Sequence, residues 1–346
     1  MKIKVGIVGS TGYAGNELLR ILLKHPYVEI TAISSHSYVG KTYDEVYLNY
    51  TDICTDVLVQ ENEVIEKADI IFTCLHSGLS ESVAEKCLNQ GKIMIDLGSD
   101  LRLADQDEHK KWYGLDFNCP KVHENAVYCI PELHRRKLPG AKLIANPGCY
   151  PTSAGLALAP LVVNKLIDTK SIIIDAKSGV TGAGRTPTET THYCEVNEGL
   201  LPYKIAAHRH VPEIEQTLNE LAGEKLHVTF VPHLLPVNRG ILSTIYVNLK
   251  DENNNQNDIF TLYKDFYKND KFVRILKQGQ TANLKSVKYS NYCDISLHFD
   301  EVLNRIIIIS TIDNTVKGAA GQAVQNMNIT LSIPEETGLD YIPPSF

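Results

Sequence analysis

The first half of the chain alternates short apolar runs with amphipathic helical stretches, and this alternation limits the fold more than any other feature. Lys2–Val8 and Val28–Ser34 have the composition of buried strands, and Asn16–Lys24 between them carries leucines at helical spacing. Such a β-α-β order predicts a Rossmann-like, doubly wound parallel sheet of the α/β class. Further elements of the same series are predicted at Asp69–Cys74, Ser80–Asn89, Lys92–Asp96 and Lys142–Ala145.

The character of the sequence changes after Cys149. A helix is predicted over Thr152–Leu166, and strands rich in β-branched residues then follow at close intervals. This pattern indicates a second, α+β domain with a mixed, mostly antiparallel sheet, followed by an Ala-rich helix over Gly318–Leu331. The polar run Asp251–Asp258 is interpreted as a surface loop. Strands are predicted at Ser171–Ala176, His227–Val231, Ile241–Lys250, Asp294–Asp300 and Arg305–Ile312.

Length and charge exclude several classes of protein. A chain of 346 residues is long for one core and comfortable for two domains. The balance of 34 basic and 41 acidic residues gives a formal charge of −7, and no basic block is present. Neither nucleic acid nor an anionic membrane is therefore expected as a partner. No apolar run approaches the ~20 residues that cross a bilayer, so no membrane span is expected.

The N-terminal residues and the cysteines indicate a compartment. Nothing at the start of the chain resembles a signal peptide, and the eight cysteines include no Cys-x-x-Cys pair. We therefore expect a cytoplasmic protein with reduced thiols and no structural metal site.

A glycine-rich turn lies between the first predicted strand and the first predicted helix. Glycines at this point let the backbone approach a pyrophosphate, while the helix N-terminus supplies N–H donors and positive potential. The spacing Gly-x-x-Gly-x-x-Gly departs from the usual Gly-x-Gly-x-x-Gly, so the position in the fold carries more of the argument than the pattern. We predict a cofactor-binding turn made of Gly9, Ser10, Thr11, Gly12, Tyr13, Ala14 and Gly15.

The end of the second strand indicates which dinucleotide binds. NAD-binding units usually place an acidic residue there for the ribose hydroxyl. This chain instead has Ser34, Ser35 and His36, with Lys41 nearby. Hydroxyl groups and a cation suit a 2′-phosphate, so the sequence predicts NADP rather than NAD, with Ser34 and Ser35 among the cofactor-binding residues.

Cys149 lies in the sharpest local motif, Asn146–Thr152. The motif follows a strand and opens a helix, which puts the thiol near the positive helix end and favours the nucleophilic thiolate. Gly148 and Pro151 beside it shape an exposed corner. The other seven cysteines are interpreted as small apolar residues. Cys149 is therefore predicted to be a catalytic nucleophile.

A thiolate reaction also needs a group that moves protons. His208 and His210 precede a helix that is predicted to start near Pro212. Two residues apart in an extended segment, the two side chains are expected to point to opposite sides, so only one should face Cys149. We favour His208 as the acid/base group and keep His210 as the alternative, either for substrate contact or as the base itself.

Two arginine-bearing turns could supply local positive charge for an anionic substrate. Ser178–Arg185 follows a predicted strand and combines hydroxyls, glycines and an arginine, which suits anion capture. Pro232–Gly240 is similar. Ser178, Gly179 and Arg185 are therefore candidate substrate-binding residues.

Several long motifs resemble those of a known family. They are Gly9–Gly15 followed by Asn16–Arg20, the turn Asn146–Thr152, the segment His208–Gln216, and Lys317–Asn328. Together they resemble the type 1 N-acetyl-gamma-glutamyl-phosphate reductases, which use NADPH to reduce an acyl phosphate to a semialdehyde in arginine biosynthesis. The resemblance extends from Lys4 to Gly338.

This resemblance implies a division of the chain and further site residues. The last helix is expected to return to the first domain, which gives an NADP-binding domain of residues 1–148 plus 315–346 and a catalytic and dimerisation domain of residues 149–314. Asn314 and Lys317 are expected to bind the cofactor. A homo-oligomer, dimer or tetramer, and a small-molecule acyl phosphate substrate are also implied.

The reaction implied is attack of the Cys149 thiolate on the acyl phosphate, release of phosphate, and reduction of the resulting thioester. Arg102, Arg185, Arg209 and His210 are the candidates to bind the phosphate and carboxylate of the substrate. The alternatives that remain are an aspartate-semialdehyde dehydrogenase, a reductase for the longer aminoadipyl phosphate, a non-catalytic NADP-binding redox sensor, and a Cys-His acyl hydrolase or transferase.

Overall fold

The structure is a computed structural model that describes residues 2–251 and 255–345. The chain divides into two compact units. The first unit is the chain up to Pro147 together with Ala319–Leu339, and the second is Gly148–Gly318 together with the segment from Asp340 onwards. The chain therefore crosses from the first unit to the second directly before Cys149, and returns to the first directly after Gly318.

The first unit contains a seven-stranded sheet in which every strand pair is parallel. The strand order is β3-β2-β1-β4-β5-β7-β6, so the chain starts in the middle and winds outward in both directions. The predicted doubly wound sheet is thereby confirmed. Its elements are β1 (Ile3–Val8), α1 (Tyr13–Leu22), β2 (Val28–Ser34), α2 (Tyr43–Val46), β3 (Leu58–Val59), α3 (Glu61–Lys67), β4 (Ile70–Thr73), α4 (Ser80–Asn89), β5 (Ile93–Asp96), α5 (Gln106–Tyr113), α6 (Pro120–Asn125), β6 (Ala126–Tyr128), α7 (Pro131–His134) and β7 (Leu143–Ala145).

The second unit contains a mixed sheet of seven strands in the order β12-β13-β14-β11-β8-β10-β9. The pairs β8/β10 and β12/β13 are parallel and the other four pairs are antiparallel, as the sequence predicted. Its elements are α8 (Cys149–Val163), β8 (Ile173–Gly179), α9 (Tyr193–Val196), β9 (Leu201–Pro202), α10 (Val211–Ala222), β10 (Thr229–Leu235), β11 (Ile241–Asn248), α11 (Gln256–Phe266), β12 (Val273–Ile275), β13 (Cys293–Asp300) and β14 (Arg305–Ile312). A π-helical turn, Val316–Ala320, leads into α12, Gly321–Thr330.

Helix α8 forms the centre of the second unit. Every residue from Tyr150 to Val162 is buried, because the helix packs against α10 and against β11 and β14 of the sheet. The hydroxyl groups of Tyr263 and Tyr267 donate hydrogen bonds to the carbonyl oxygens of Ala157 and Leu156 on the same helix. The helix that begins at Cys149 is therefore held rigidly along its length.

The structure differs from the sequence predictions mainly at element ends. The helix predicted over Gly318–Leu331 starts as the π-helical turn and becomes α-helical only at Gly321. Of the polar run predicted as a surface loop, Glu252–Asn254 lies outside the described residues, and α11 begins at Gln256. No described helix is long and apolar enough to cross a membrane.

Candidate functional site

The three glycines of the first turn meet different constraints. Gly9 has φ of +81°, and a Cβ there would lie 2.6 Å from the carbonyl oxygen of Cys74 at the end of β4. A Cβ on Gly15 would lie 2.4 Å from the Gly9 oxygen, so this glycine allows α1 to start close to the turn. A Cβ on Gly12 would meet nothing nearer than 3.8 Å. The first and third glycines are thus required by packing, and Gly12, the N-cap of α1, leaves an open cradle that fits a pyrophosphate.

The predicted hydroxyl-bearing residues lie beside this turn. The hydroxyl groups of Thr11 and Ser35 are 2.7 Å apart, and the Ser34 hydroxyl accepts a bond from the Gly9 N–H at 3.4 Å. Both the N–H and the hydroxyl of Ser10 donate to the Ser34 carbonyl oxygen. These hydrogen bonds therefore join the turn to the end of β2. The side chain of Tyr13, the first residue of α1, is exposed.

Cys149 is the first residue of α8, and Gly148 is its N-cap. The Gly148 N–H donates to the Oε1 atom of Glu213 at 2.6 Å, and Glu213, on α10, is fully buried. This bond fixes the backbone directly before the nucleophile. A thiolate at the first position of a 15-residue helix lies at the positive end of the helix dipole, where a negative charge is stabilised.

The π-helical turn packs directly against Cys149. A Cβ on Gly318 would lie 2.7 Å from the Cβ atom of Cys149, so only glycine allows this approach. The turn is held by the i to i+5 bond from the Gly318 N–H to the Asp313 carbonyl oxygen. The buried Asp313 carboxylate accepts bonds from the N–H groups of Tyr289, Thr315 and Val316. Departures from regular helix of this kind are common at functional sites.

Other cysteines have surroundings that suppress the thiolate. Burial raises the pKa of Cys54 to about 11 and that of Cys87 to about 12. The thiol group of Cys74 is also buried, and this burial raises its pKa. These three thiols are therefore rarely ionised near neutral pH, unlike a thiol at the N-terminus of a helix.

The two histidines lie side by side, contrary to the predicted opposite orientation. Residues 208–210 form a turn rather than an extended segment, and the two ring centroids are 4.8 Å apart. The Nδ1 atom of His208 accepts the backbone N–H of His210. Tyr150 packs edge-on against both rings, and Tyr203 and Phe230 pack against His208.

Protonation of His208 is unfavourable in these surroundings. Burial, and to a smaller extent the charges of Lys204 and Arg209, lower the pKa of His208 to about 3. At neutral pH the ring is therefore neutral, and its Nδ1 atom is the acceptor that holds the turn. A group that resists protonation this strongly is poorly matched to accept a proton near pH 7.

The predicted substrate-binding residues divide between the two units. Arg185 and Arg209 are exposed and belong to the second unit. Arg102 belongs to the first unit and is largely buried, with its guanidinium donating to the carbonyl oxygens of Asn146 and Leu97. Backbone contacts thus occupy part of the Arg102 guanidinium.

The two arginine-bearing turns of the second unit are joined to each other. The Gly179 N–H donates to the Gly240 carbonyl oxygen, and a Cβ on Gly179 would lie 2.7 Å from the backbone of Asn238. Ser178 is buried, and its hydroxyl donates to the Gly179 carbonyl oxygen. The two turns are therefore held together by these contacts.

The predicted cofactor residues near the C-terminus are both buried in the second unit. The Asn314 side chain accepts the Gly240 N–H and donates to the Thr181 hydroxyl, so its amide group links the two arginine-bearing turns. Lys317, on the π-helical turn, is fully buried, and its ammonium lies 5.7 Å from the centre of the Phe272 ring. Among residues 2–251 and 255–345, no group of three or more His, Cys, Asp or Glu side chains could hold a metal ion.

Two kinds of functional contact were missed from the sequence. Glu213 lies five residues after His208 in the motif that contains the histidines, and its bond to Gly148 spans 65 residues. In the segment between β2 and β3, Tyr43 and Tyr47 contact the glycine-rich turn, and Tyr50 contacts Asn16 in α1. The spacing of these tyrosines, four and then three residues at positions 43, 47 and 50, was the available signal.

Comparison with family models matches both units. Residues 4–141 match the semialdehyde dehydrogenase NAD binding domain, and residues 149–314 match the semialdehyde dehydrogenase dimerisation domain.

Comparison with individual proteins gives similar chains over nearly full length. The N-acetyl-gamma-glutamyl-phosphate reductase of Brachyspira hyodysenteriae is 54% identical over 99% of this chain and 100% of its own. The protein of the same name from Clostridium botulinum is 52% identical with the same coverage. Among solved structures, aspartate semialdehyde dehydrogenase II from Vibrio cholerae has a TM-score of 0.74 at 16% identity and covers 96% of this chain and 99% of that one. At that identity the structural likeness concerns the fold alone.

Proposed function

This chain belongs to the N-acetyl-gamma-glutamyl-phosphate reductase family, and from that premise we propose that its Cys149 thiolate forms the covalent intermediate of the reaction. The family reaction is the NADPH-dependent reduction of N-acetyl-L-glutamyl 5-phosphate to N-acetyl-L-glutamate 5-semialdehyde with release of phosphate, a step of arginine biosynthesis. The observation that carries the proposal is the position of Cys149, which starts a long buried helix behind an N-cap anchored by Glu213.

Cys149 and its helix act in two stages. The thiolate attacks the acyl carbon, the bond to phosphate breaks, and a thioester with Cys149 forms. Bound NADPH supplies the hydride that takes the acyl group to the aldehyde level. When the thiohemiacetal then collapses, the carbon–sulfur bond breaks and the sulfur leaves as a thiolate, which the helix N-terminus again stabilises.

We assign proton transfer to the histidine pair, with His210 as the acid/base group and His208 as the residue that positions it. This choice reverses the preference from sequence. The low pKa of His208 and the bond from the His210 N–H to its Nδ1 atom support the assignment. A general acid/base group contributes about 10²- to 10⁴-fold to a rate, so the two histidines should differ clearly when each is replaced.

We propose that the first unit binds the dinucleotide through the turn Gly9–Gly15. The open cradle at Gly12 fits the pyrophosphate, and the joined hydroxyls of Thr11 and Ser35 are placed to meet a 2′-phosphate. Asn314 and Lys317 stay predicted cofactor residues, and the internal contacts of Asn314 support an indirect role for it. In the predicted division of labour, the first domain holds NADP and residues 149–314 carry catalysis and dimerisation.

For the substrate anions we propose the exposed guanidinium groups of Arg185 and Arg209. Neither group has a position fixed by burial, and both belong to the unit that contains Cys149. Arg102, with part of its guanidinium held by backbone, and the joined turn at Ser178 and Gly179 complete the predicted set.

We further propose a cytoplasmic homo-oligomer, dimer or tetramer, built through the sheet of the second unit. On one face of that sheet, alternate residues of β11 and β14 such as Ile245 and Ile308 are fully buried. On the other face the alternate residues of β11 and β14 are only half-buried, among them Leu242, Tyr246, Ile307 and Ile309. Half-buried apolar side chains along neighbouring strands support a second copy of the sheet as the covering layer.

The test is the reverse reaction, in which NADPH forms from N-acetylglutamate semialdehyde, phosphate and NADP. Phosphate-dependent activity that is lost in Cys149→Ala is the expected result. Turnover with aspartate semialdehyde or the longer homologue alone would move the substrate and keep the mechanism. Replacement of each histidine by Asn then tests the assignment of the pair. A larger loss of kcat in His208→Asn than in His210→Asn would contradict it.

A further inference from the structure

Three phenol groups hold the turn that we propose for the cofactor pyrophosphate together with the start of α1. The Tyr43 hydroxyl donates to the Ser10 carbonyl oxygen at 3.0 Å, and the Tyr47 hydroxyl donates to the Thr11 carbonyl oxygen at 2.8 Å. The Tyr50 hydroxyl donates to the carbonyl oxygen of Asn16 in α1 at 3.1 Å. All six residues belong to the first unit. We call these three tyrosines the tyrosine clamp.

The clamp is itself a packed unit rather than three separate contacts. Tyr43 starts α2, Tyr47 is the extended residue directly after it, and Tyr50 ends the short 3-10 helix that follows, so the three rings come from one short segment. The ring centroids of Tyr43 lie 5.5 Å from those of Tyr47 and 5.0 Å from those of Tyr50. Tyr43 is completely buried, and its oxygen also accepts a bond from the side chain of Asn16. The clamp therefore presents its donors in fixed directions.

Phenol contacts on carbonyl oxygens determine where the neighbouring N–H groups point. A trans peptide group is planar and holds its C=O and N–H in opposite directions. The bond to the Ser10 oxygen therefore fixes the direction of the Thr11 N–H. The bond to the Thr11 oxygen fixes that of the Gly12 N–H, which also donates to the Gly9 carbonyl oxygen at 3.4 Å. Both N–H groups point away from the tyrosines that hold their peptide groups.

Deprotonation does not remove the Tyr43 and Tyr50 donors at physiological pH. Burial raises the pKa of Tyr50 to about 12, and it also raises the pKa of Tyr43. A phenolate could not donate, so retention of the proton is a condition for the clamp to work.

We propose that Tyr43 and Tyr47 are positioning residues for the cofactor, which orient the peptide groups of the glycine-rich turn toward the pyrophosphate through their hydroxyl groups, and that Tyr50 supports them by holding the start of α1. This inference rests on the proposed function of the turn. The three hydroxyl groups donate to backbone carbonyl oxygens, whereas the 2′-phosphate is proposed to meet the side-chain hydroxyl groups of Thr11 and Ser35. Its removal should therefore weaken binding of the whole dinucleotide and leave the recognition of a 2′-phosphorylated adenosine unchanged.

The experiment replaces single hydroxyls and compares two ligands. Tyr43→Phe, Tyr47→Phe and Tyr50→Phe each remove one donor and keep the ring. Tyr27→Phe, at a ring more than half exposed in the same unit, is the matched control. Dissociation constants are measured by calorimetry for NADPH and for adenosine 2′-monophosphate, which lacks the pyrophosphate. Steady-state kinetics supply kcat and KM.

We expect Tyr47→Phe to raise the Kd for NADPH about three- to tenfold, the range of one ordinary hydrogen bond. The KM for NADPH should rise with it, while kcat and the Kd for adenosine 2′-monophosphate stay within about twofold of wild type. Tyr47 is only half-buried, so Tyr47→Phe should disturb folding least of the three variants.

Two results would overturn the inference. Unchanged NADPH affinity in all three variants would show that the hydroxyls do not matter to binding. Equal weakening of both ligands would indicate general loosening of the unit instead of a misdirected turn. Wild-type protein that binds adenosine 2′-monophosphate but not NADPH would overturn the proposed function of the turn and the clamp together, and the wild-type measurement identifies that case.

Discussion

The two units each have a strand, a glycine-containing turn and a helix start, but the two turns are held in opposite ways. In the first, Tyr43 and Tyr47 bond to carbonyl oxygens, so the peptide N–H groups keep a fixed direction for an incoming anion. In the second, the buried Glu213 carboxylate accepts the N–H of Gly148. The N–H groups at a helix start can therefore either bind an anion from solution or bind a carboxylate of the protein itself.

That difference matches the chemistry proposed at each turn. A dinucleotide must arrive and leave, so the first turn keeps an open cradle at Gly12. A thiolate is permanently attached, so the second turn is closed, with Gly318 packed on Cys149 and Glu213 behind Gly148.

The largest effect is expected at Cys149, where replacement should abolish the activity of the second turn and leave NADPH binding at the first unchanged. Cys149→Ser should lower kcat by about 10⁴-fold or more because the alcohol is a far weaker nucleophile at neutral pH. The Kd for NADPH should stay within about twofold, as measured by fluorescence titration. Cys194→Ser, at an exposed cysteine, is the control and should retain full activity. If the Cys149 variant also lost NADPH binding, the two turns would not be independent.

Alanine at two glycines tests how the first turn divides its roles. Gly12→Ala should keep the melting temperature within about 2 °C and weaken NADPH binding about 100-fold, because the new Cβ has space only where the pyrophosphate is proposed to lie. Gly15→Ala should lose stability as well, since its Cβ would meet the Gly9 oxygen at 2.4 Å. Differential scanning calorimetry and titration give both numbers. Unweakened NADPH binding in Gly12→Ala would remove the basis for the cradle.

Glu213→Gln tests whether charge or shape holds the second turn. A neutral amide can still accept the Gly148 N–H but loses the charge assistance, so kcat should fall about tenfold with the Kd for NADPH unchanged. Glu215→Gln, two positions further along α10, is the matched control, because its half-buried carboxylate likewise accepts bonds, from His227 and from the Val228 N–H. Equal loss in both variants would contradict a specific role for Glu213.

The smallest effect concerns pH and His208. Its pKa is lowered in the folded protein to about 3, below the ordinary value of 6.5, so between these pH values the unfolded chain binds a proton that the folded protein does not. Its contribution to stability is therefore present above pH 6.5 and is lost as the pH falls. His208→Asn should reduce the loss of unfolding free energy between pH 6.5 and 4.5 by about 1–2 kcal/mol. Urea titrations at the two pH values measure it. An unchanged acid dependence would show that His208 is not buried as described.

The sequence predicted the framework because its signals are local. Apolar periodicity located β2, α4 and β14 with their observed bounds, and the Gly9–Gly15 turn follows from its place between a strand and a helix. The helix at Cys149 was predicted to start at Thr152, three residues late, because Pro151 suits a first turn as well as a boundary. Edge strands of two or three residues, such as β3 and β9, carry too little pattern to be found.

Contacts between distant residues could not be predicted in this way. Glu213 lies on a helix face that periodicity assigns to the core, and only the fold brings its carboxylate to Gly148. The two histidines were expected to diverge because an extended backbone was assumed, whereas the turn at 208–210 brings their rings together. Asn314 had no local feature that revealed its bonds to Thr181 and Gly240.

The contact between Gly318 and Cys149 has a consequence for how the protein is made. The two residues are separated by nearly half of the chain, so a ribosome completes the nucleophile and its whole supporting helix long before it adds the glycine that packs on them. During that interval the thiol lacks its cover, and contacts of such long range form late in folding. A newly synthesised chain therefore acquires its reactive centre only when translation is almost finished, and premature termination before residue 318 yields a protein that cannot assemble it.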